Sequence, residues 1–255
     1  VALGAPTTSD NCSVASVTNN APAIFPLGNT TVTWTVTDGA GLTATCNQTV
    51  TVTDGEDPTI ACPANVNANV DAGLCTASGV ALGAPVTGDN CSVASVTNNA
   101  PASYPLGNTT VTWTVTDGSG NTATCDQTVT VTDNIPPTIT CPVDVVVNSG
   151  AGTCTASGVA LGAPTTNDNC SVASVTNNAP ATYPLGNTTV TWTVTDGAGL
   201  TATCNQTVTV NDTESPTITC PGAVSVSADA GLCTASGVAL GAPTTSDNCS
   251  VASVT

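Results

Sequence analysis

The sequence predicts an all-β protein built from a tandem array of β-sandwich domains. Three observations predict this fold class: a long segment recurs at a fixed 79-residue period, apolar and polar residues alternate within it, and each period holds four cysteines. The recurring segment DNCSVASVT has its cysteine at Cys12, Cys91, Cys170 and Cys249. Residues 238–255 repeat residues 1–18 without a change, so we expect the chain to begin and end inside a repeat.

The first half of the repeat is predicted to consist of short strands separated by turns. Val66 and Val70 lie in a run that alternates with asparagine, which is typical of a half-buried strand. An Asp-Ala-Gly turn follows at residues 71–73. We expect the next strand to run through Val80 and Leu82, before a loop that contains glycine and proline.

The second half of the repeat contains the strongest strand signals. After a short strand through Val93 and Val96, the segment TTVTWTVTD places Trp113 and the valines on one face and the threonines on the other. A glycine-rich turn at residues 117–121 closes a hairpin with TATCDQTVTV, whose Cys125 points inward with its valines. Six or seven such strands in about 80 residues are typical of an immunoglobulin-like sandwich.

Domain boundaries are predicted from the segments that vary most between periods. These are TDGEDPT, TDNIPPT and NDTESPT, whereas the strands hardly change. We therefore expect complete domains at 57–135 and 136–214, a partial domain without its first strands at 1–56, and a partial domain with only its first strands at 215–255. The linkers are short and contain proline, which favours a stiff rod.

The charge balance excludes several classes of partner. The chain has 17 Asp and Glu but no Lys, Arg or His, which gives a net charge of −17. Nucleic acid is excluded as a direct partner, since that affinity depends on cationic side chains, and a polybasic membrane contact is excluded for the same reason. The carboxylates must be solvated, hydrogen-bonded to the backbone or neutralised by metal ions, and Ca²⁺ suits ligands that are all oxygen.

The cysteine content indicates an oxidising compartment. Thirteen cysteines in a chain of small domains predict disulfides and an extracellular or cell-surface location. Four cysteines in each repeat allow three connectivities. A zinc site is disfavoured because the spacings match no zinc motif and the chain has no histidine.

The chain resembles the hyalin repeat (HYR) family along its whole length, in the version found in bacterial surface proteins. The motifs that carry the resemblance are Pro-Thr-Ile-Thr-Cys-Pro at 137–142, Asp-Asn-Cys at 168–170, Pro-Leu-Gly-Asn-Thr-Thr-Val at 184–190, Thr-Asp-Gly at 195–197 and Ala-Thr-Cys at 202–204. The resemblance implies a fold similar to immunoglobulin and fibronectin type III sandwiches. It also implies an extracellular adhesive or matrix role, and no reaction.

The resemblance also implies a disulfide pairing. Family members that lack the middle two cysteines tend to keep those of the Cys-Pro and Ala-Thr-Cys motifs, which implies a bond from Cys62 to Cys125 and leaves Cys75 with Cys91. The equivalent pairs in the later repeats are Cys141 with Cys204, Cys154 with Cys170, and Cys233 with Cys249.

A calcium site is predicted where a linker meets the loops of the following domain. The predicted strand directions bring these acidic loops to one end of the domain, and the candidate ligands are Asp54, Glu56, Asp57, Asp89, Asn90 and Asp117. The alternative is that these Asp and Asn residues only form turns. The second linker offers Asp133 and Asn134 but no glutamate, which makes it the poorer candidate.

Two further classes of site can be assessed from the sequence. Asn-Thr-Thr sequons at Asn29, Asn108 and Asn187 are candidate N-glycosylation sites, or coincidences in a chain rich in Asn and Thr. Catalysis has no basis, because without His, Lys or Arg neither a triad nor a Schiff base can form. Paired carboxylates that recur in every repeat do not resemble the single site of a glycosidase.

The sequence therefore favours a structural role: a stiff stalk or self-assembling filament in which the chain associates with itself. The alternative is a calcium-dependent adhesin whose repeats bind glycan or protein ligands. Loops as well as strands are nearly identical between repeats, which favours the structural role, since binding loops usually diversify.

Overall fold

The computed structural model describes residues 1–255 and contains 21 strands and no helix, so the all-β prediction is confirmed. No segment forms a helix that could cross a lipid bilayer. Two compact units can be distinguished by their internal contacts. One comprises Val1–Asn67, Gly79–Ala102 and Asn108–Thr130, and the other comprises Ala68–Ser78, Ser103–Gly107 and Val131–Thr255.

The strands follow the 79-residue period. The first repeat contains β1 (Val14–Asn19), β2 (Gly28–Asp38) and β3 (Thr43–Val52). The second contains β4 (Thr59–Ala61), β5 (Val66–Asn69), β6 (Thr76–Ser78), β7 (Val86–Gly88), β8 (Val93–Asn98), β9 (Ser103–Pro105), β10 (Gly107–Asp117) and β11 (Thr122–Thr132). The third contains β12 (Thr138–Thr140), β13 (Val145–Asn148), β14 (Thr155–Ser157), β15 (Thr165–Asn167), β16 (Val172–Asn177), β17 (Thr182–Pro184), β18 (Gly186–Asp196) and β19 (Thr201–Asn211). The last contains β20 (Thr217–Thr219) and β21 (Thr244–Ser246).

The third repeat displays the complete topology. Its main sheet has the strand order β13-β19-β18-β16, in which β13 runs parallel to β19 and the other pairs are antiparallel. Two short antiparallel pairs, β12 with β15 and β14 with β17, make up the rest of its strands. The corresponding main sheet of the second repeat has the order β5-β11-β10-β8. A complete repeat thus has eight strands rather than the six or seven predicted.

The core of the third repeat is built around a tryptophan and a buried glutamine. Trp192 and the alternating valines of β18 and β19 are buried with Tyr183. Trp192 donates its indole N–H to Gln206 Oε1 (3.1 Å), and Gln206 Nε2 donates to the carbonyl oxygens of Val143 (2.7 Å) and Leu161 (2.9 Å). The wholly buried Gln206 is therefore fully hydrogen-bonded, as a buried amide must be to avoid a desolvation penalty.

The predicted strand through Val80 and Leu82 is wrong. The short strands β6 and β7 lie on either side of this segment, which itself joins no ladder. The reason is visible at Leu82, whose carbonyl oxygen accepts a hydrogen bond from Gln127 Nε2 (2.9 Å) instead of from a neighbouring strand. A glutamine on β11 thus replaces a strand partner, and the apolar alternation of this segment reflects partial burial alone.

Candidate cation sites and cross-repeat disulfides

Each complete repeat contains one internal disulfide. Cys62 is bonded to Cys125, and Cys141 to Cys204, at a sequence separation of 63 in both cases. Cys204 lies on β19 opposite Trp192 of β18 and packs against the buried core. These bonds are the pairs that the family resemblance implies, and they tie the beginning of each repeat to its last strand.

The other disulfides correct the predicted pairing, because they connect successive repeats. Cys75 is bonded to Cys170 and Cys154 to Cys249, each at a sequence separation of 95. The predicted bonds from Cys75 to Cys91, Cys154 to Cys170 and Cys233 to Cys249 are therefore wrong, and Cys91 and Cys233 are free.

The local structure of the Cys75 loop explains this pairing. Residues 71–76 form a tight turn in which the Asp71 N–H donates to Thr76 O (2.8 Å). The turn presents the Leu74 carbonyl oxygen to the next repeat, where the Asn169 side-chain amide donates to it (2.9 Å). Asn248 makes the same contact with Thr153 O (3.0 Å). Because each asparagine precedes the bonded cysteine, this hydrogen bond brings Cys75 to Cys170 and Cys154 to Cys249.

The two separations also account for every free cysteine. Partners placed at separations of 63 or 95 would fall before residue 1 or after residue 255, and the cysteines concerned are Cys12, Cys46, Cys91, Cys220 and Cys233. One pairing rule therefore fits all 13 cysteines of the chain.

Three aspartates meet beside Cys170, and we call them the second joint: Asp133, Asp168 and Asp196. Asp133 comes directly after β11, Asp168 follows β15, and Asp196 ends β18. Their carboxylate oxygens lie within 4.8 Å of one another. Asp196 is 2% exposed and Asp133 is 9% exposed. The second joint is thus a cluster of two buried acids and one half-buried acid, Asp168.

Each acid of the second joint uses one oxygen to hold its own turn. Asp196 Oδ1 accepts from the backbone N–H groups of Ala198 and Leu200 (2.9 and 2.8 Å). Asp168 Oδ2 accepts from the N–H groups of Cys170 and Ser171 (2.9 and 2.8 Å). The Asp196 turn places Gly199 at a φ of 89°, a left-handed conformation that favours glycine. These are the turns that Asp forms readily.

The remaining oxygen of each acid is buried and has no hydrogen-bond partner. These atoms are Asp133 Oδ2, Asp168 Oδ1 and Asp196 Oδ2. The Asn169 amide oxygen is also buried and also lacks a hydrogen-bond partner. Two carboxylates at this separation repel each other by about 3 kcal/mol at an effective dielectric constant of about 20. With no Lys, Arg or His in the chain, only a cation from solution can neutralise the cluster.

The first joint comprises Asp54, Asp89 and Asp117, which occupy the equivalent positions one period earlier and also lie within 4.8 Å of one another. It contains a donor that the second joint lacks. Asn121 Nδ2 donates to Asp117 Oδ2 (2.8 Å) and to the backbone oxygens of Glu56 (3.2 Å) and Asp54 (3.4 Å).

Hydrogen bonds change the acidity of Asp117. Burial raises the pKa of Asp117, but hydrogen bonds from the Asn121 side chain and from nearby backbone N–H groups outweigh burial and bring the pKa below its ordinary value. Elsewhere in the first joint, Asp54 Oδ2 and Asp89 Oδ1 receive no N–H hydrogen bond. The free Cys91 thiol is close enough to the Asp54 carboxylate for this acid to raise the thiol pKa.

The structure brings together only part of the predicted calcium ligand set. Asp54, Asp89 and Asp117 meet, and Asn90 Nδ2 donates to Asp54 Oδ1 (3.3 Å). Glu56 and Asp57 are exposed and lie outside the cluster. Sequence reasoning missed Asp168 and Asp196, although the signal was present, because the acids of the second joint follow those of the first by one 79-residue period.

A third acidic cluster and the predicted glycosylation sites lie apart from the two joints. Asp212 and Asp247 form an incomplete third cluster with Cys249, but the Cys249 sulfur is bonded to Cys154 and offers no thiolate. The predicted glycosylation sites are exposed at the start of the long strands, where their side-chain oxygens accept from threonine hydroxyls across the ladder (2.8–2.9 Å) at Asn29, Asn108 and Asn187. Their glycosylation stays a prediction.

Comparison with known proteins gives one match at the level of sequence families. The family model of the HYR domain matches residues 1–52, 53–131 and 132–210. No curated protein matches the sequence.

Among solved structures, the chain is similar to cadherin ectodomains at low identity. The protocadherin gamma B7 EC3-6 cis-dimer structure shares 15% identity and a TM-score of 0.33, covering 76% of this chain and 61% of that chain. Drosophila N-cadherin EC1-4 shares 10% identity with a TM-score of 0.35, covering 73% of this chain and 59% of that chain. Human protocadherin-24 EC1-2 shares 12% identity with a TM-score of 0.30, covering 58% of this chain and 95% of that chain. The chain thus spans less than two thirds of the first two structures.

The family match extends over the same 79-residue periods that carry the Cys-Pro, Asp-Asn-Cys and Ala-Thr-Cys motifs, and the strands of each complete repeat recur with it. The resemblance noted from the sequence is confirmed. The chain belongs to the HYR domain family, of which it contains three matched repeats in tandem.

Proposed function

We propose that the chain is a non-catalytic extracellular structural array, a stiff stalk or filament whose successive repeats are locked together covalently. The observation that carries this proposal is the pair of cross-repeat bonds, Cys75–Cys170 and Cys154–Cys249. Disulfides persist outside the cytosol, which supports the extracellular location. Each of these bonds fixes one repeat to the next, which suits an array that carries a load along its length.

The disulfides shorten the covalent path through the array. The polypeptide runs through more than two periods between Cys75 and Cys249. The path through the disulfides instead crosses from Cys75 to Cys170, follows the chain back to Cys154 and crosses again to Cys249. Only the short segment 154–170 then extends under tension, by at most about 3.5 Å per residue. Even complete unfolding would therefore release only a small part of the chain length between Cys75 and Cys249.

Calcium at the joints is the second part of the proposal. Each complete joint places three carboxylates within 4.8 Å, with buried oxygens that receive no hydrogen bond. Ca²⁺ prefers oxygen ligands and tolerates flexible geometry. Its binding would replace carboxylate repulsion by shared ligation between the linker and the following repeat, which would stiffen each joint.

Stretching single molecules between the two chain ends tests the covalent path. In a background where the five free cysteines are serine, reduction should add about 550 Å of contour length, the extent of about 160 residues. The Cys154→Ser/Cys249→Ser variant should show part of this gain without reductant, about 110 Å, because its shortest covalent path runs through Cys62–Cys125 and Cys141–Cys204 and is about 32 residues longer. A gain of only about 440 Å on reduction, which Cys62–Cys125 and Cys141–Cys204 would give without any cross-repeat bond, would refute the covalently locked array.

Electron microscopy of the native material separates the structural role from the adhesive alternative. A continuous fibre with an axial repeat of one domain supports the filament. Isolated rods that end in a different head domain and bind glycan or protein ligands through their loops would favour the calcium-dependent adhesin. For calcium itself, an unchanged melting temperature after addition of a chelator would remove that part of the proposal.

A further inference from the structure

Two joints with the same three acids differ in how their buried oxygens are satisfied. In the second joint, Asp133 Oδ2, Asp168 Oδ1 and Asp196 Oδ2 all lack a hydrogen-bond partner. In the first joint the oxygen equivalent to Asp196 Oδ2 is occupied, because Asp117 Oδ2 accepts from Asn121 Nδ2 at 2.8 Å.

The difference comes from one residue in the hairpin turn. Position 121 is asparagine in the turn DGSGN, whereas the equivalent position 200 is leucine in the turn DGAGL. Both residues use their backbone N–H in the same way, as a donor to Oδ1 of the turn aspartate at 2.8 Å. Only the Asn121 side chain can donate further, and Leu200 leaves Asp196 Oδ2 without a partner.

We infer that the second joint is a tight Ca²⁺ site and that the residue at position 121 or 200 selects between a tight and a weak site. This inference rests on the proposed uptake of calcium at the joints and adds which joint binds it and why. At the first joint the Asn121 amide occupies an oxygen that a cation needs as a ligand. At the second joint the cation finds three free carboxylate oxygens.

The chemistry of the second joint favours a hard divalent cation. The unpartnered atoms are all oxygens, and three of them belong to carboxylates that carry charge. Asp196 is 2% exposed, so its unpartnered oxygen is not solvated by bulk water. The Asn169 oxygen, from the same turn as Asp168, is a fourth buried oxygen without a partner.

Asn121 is a fixed competitor rather than a mobile one. Its amide nitrogen also contacts the backbone oxygens of Asp54 and Glu56, so three acceptors hold it beside Asp117. A cation at the first joint must break the bond to Asp117 Oδ2, and a hydrogen bond to a charged group changes an equilibrium by about tenfold or more. We therefore expect at least tenfold weaker Ca²⁺ binding at the first joint.

Calorimetric titration of the full, oxidised chain with CaCl₂ tests the inference. The wild type should show one tight binding event, which Asp196→Asn removes and Asp117→Asn leaves in place. Both substitutions keep the oxygen that holds the turn. Asn121→Leu should add a second tight event, and Leu200→Asn should weaken the existing one about tenfold or more.

The first repeat offers a matched control. Leu42 occupies the equivalent position in its hairpin, where Asp38 Oδ1 accepts from the Leu42 N–H (2.8 Å) outside any three-acid cluster. Leu42→Asn should leave Ca²⁺ binding unchanged, and circular dichroism verifies that every variant retains its strands.

The outcomes separate this inference from the proposed function. If Ca²⁺ binds but the Asn121→Leu and Leu200→Asn exchanges alter neither affinity, the selector residue is refuted while calcium uptake at the joints stands. If no Ca²⁺ binds to the wild type or to Asn121→Leu, both the tight site and the calcium part of the proposed function fail. The covalently locked array is unaffected in either case, because the stretching experiment tests it separately.

Discussion

The two joints of this chain share one arrangement of three acids and differ in what surrounds it. At the first joint, Cys91 is free and Asn121 satisfies an Asp117 oxygen. At the second joint, Cys170 is bonded to the preceding repeat and Leu200 leaves Asp196 Oδ2 without a donor. The difference at the cysteines follows from the pairing separation of 95, since the partner of Cys91 would fall before residue 1. The difference at positions 121 and 200 shows that a repeat can keep its turn geometry while a single side chain changes which acid oxygens are satisfied.

The asparagines of the two Asp-Asn-Cys turns also differ in their contacts, because the chain has a turn for Asn169 to contact in the preceding repeat and none at the equivalent place for Asn90. Asn169 contacts Leu74 O of the preceding repeat (2.9 Å) and, more weakly, Asp133 Oδ1 (3.4 Å). Asn90 contacts only Asp54 Oδ1 (3.3 Å). Four changes test these differences, in order of decreasing expected effect.

Removing the cross-repeat disulfide should have the largest effect. In the Cys75→Ser/Cys170→Ser variant the free energy of unfolding should fall by about 5 kcal/mol, because in the chain-entropy model a bond that closes a loop of this length restricts the unfolded chain by that amount. Thermal unfolding under oxidising conditions measures it. Cys91→Ser at the first joint is the control, and a loss as large in the control would contradict the assignment of the bond.

Neutralising one acid should stabilise the second joint in the absence of calcium. Asp196→Asn keeps its turn acceptor and turns the unpartnered oxygen into a donor toward Asp133 and Asp168, which should add about 1 to 2 kcal/mol to the free energy of unfolding in chelator. The matched Asp117→Asn should gain less, since its new amide would face the Asn121 amide. Equal gains in urea unfolding would show that Asn121 does not satisfy Asp117.

Removing the asparagine of each Asp-Asn-Cys turn should have a smaller effect. Asn169→Ala loses the bond to Leu74 O and should lower the free energy of unfolding by about 1 kcal/mol. Asn90→Ala, with its single weaker contact, should change stability less. Chemical unfolding of the two variants provides the measurement. A larger loss of stability from Asn90→Ala than from Asn169→Ala would contradict the conclusion that Asn169 makes the stronger contacts.

Acidification should affect the first joint through Asp117. Its pKa lies below the ordinary value of 3.8 in the folded state, so the stabilisation by its hydrogen bonds is fully present above that value. This stabilisation is lost as the pH falls through the lowered pKa. Carbon NMR titration of the Asp117 carboxyl group should report the lowered pKa, and Asn121→Leu should raise it. An unchanged titration in that variant would show that Asn121 is not a cause of the shift.

The strands were the most predictable part of the fold. The strict alternation in TTVTWTVTD and TATCDQTVTV led directly to β10 and β11, because one face of such a strand must be buried. The segment around Val80 and Leu82 was mispredicted, since alternation reports burial and not pairing. Gln127, which binds the Leu82 carbonyl oxygen, gave no sequence signal of that role.

The acidic site was predictable in part. Asp54, Asp89 and Asp117 were grouped from the predicted strand directions, and they meet in the structure. The two interpretations that the sequence left open, turn formation and cation ligation, turn out to use different oxygens of the same carboxylate. One oxygen of Asp168 accepts two backbone N–H groups while the other is buried and unpartnered. No residue pattern separates two atoms of one side chain.

The sequence by itself determined the 79-residue period, the all-β class, the family and the absence of any internal cation to pair with the carboxylates. Only the tertiary structure decided the partner of Cys75. Cys91 and Cys170 stand in the same motif one period apart, so a repeating sequence presents both as equivalent partners. The choice depends on which of the two the turn at residues 71–76 can reach, and that turn contacts Asn169 of the next repeat. Translation by one period leaves a local motif unchanged, so only distances in space distinguish a bond within a repeat from a bond between repeats.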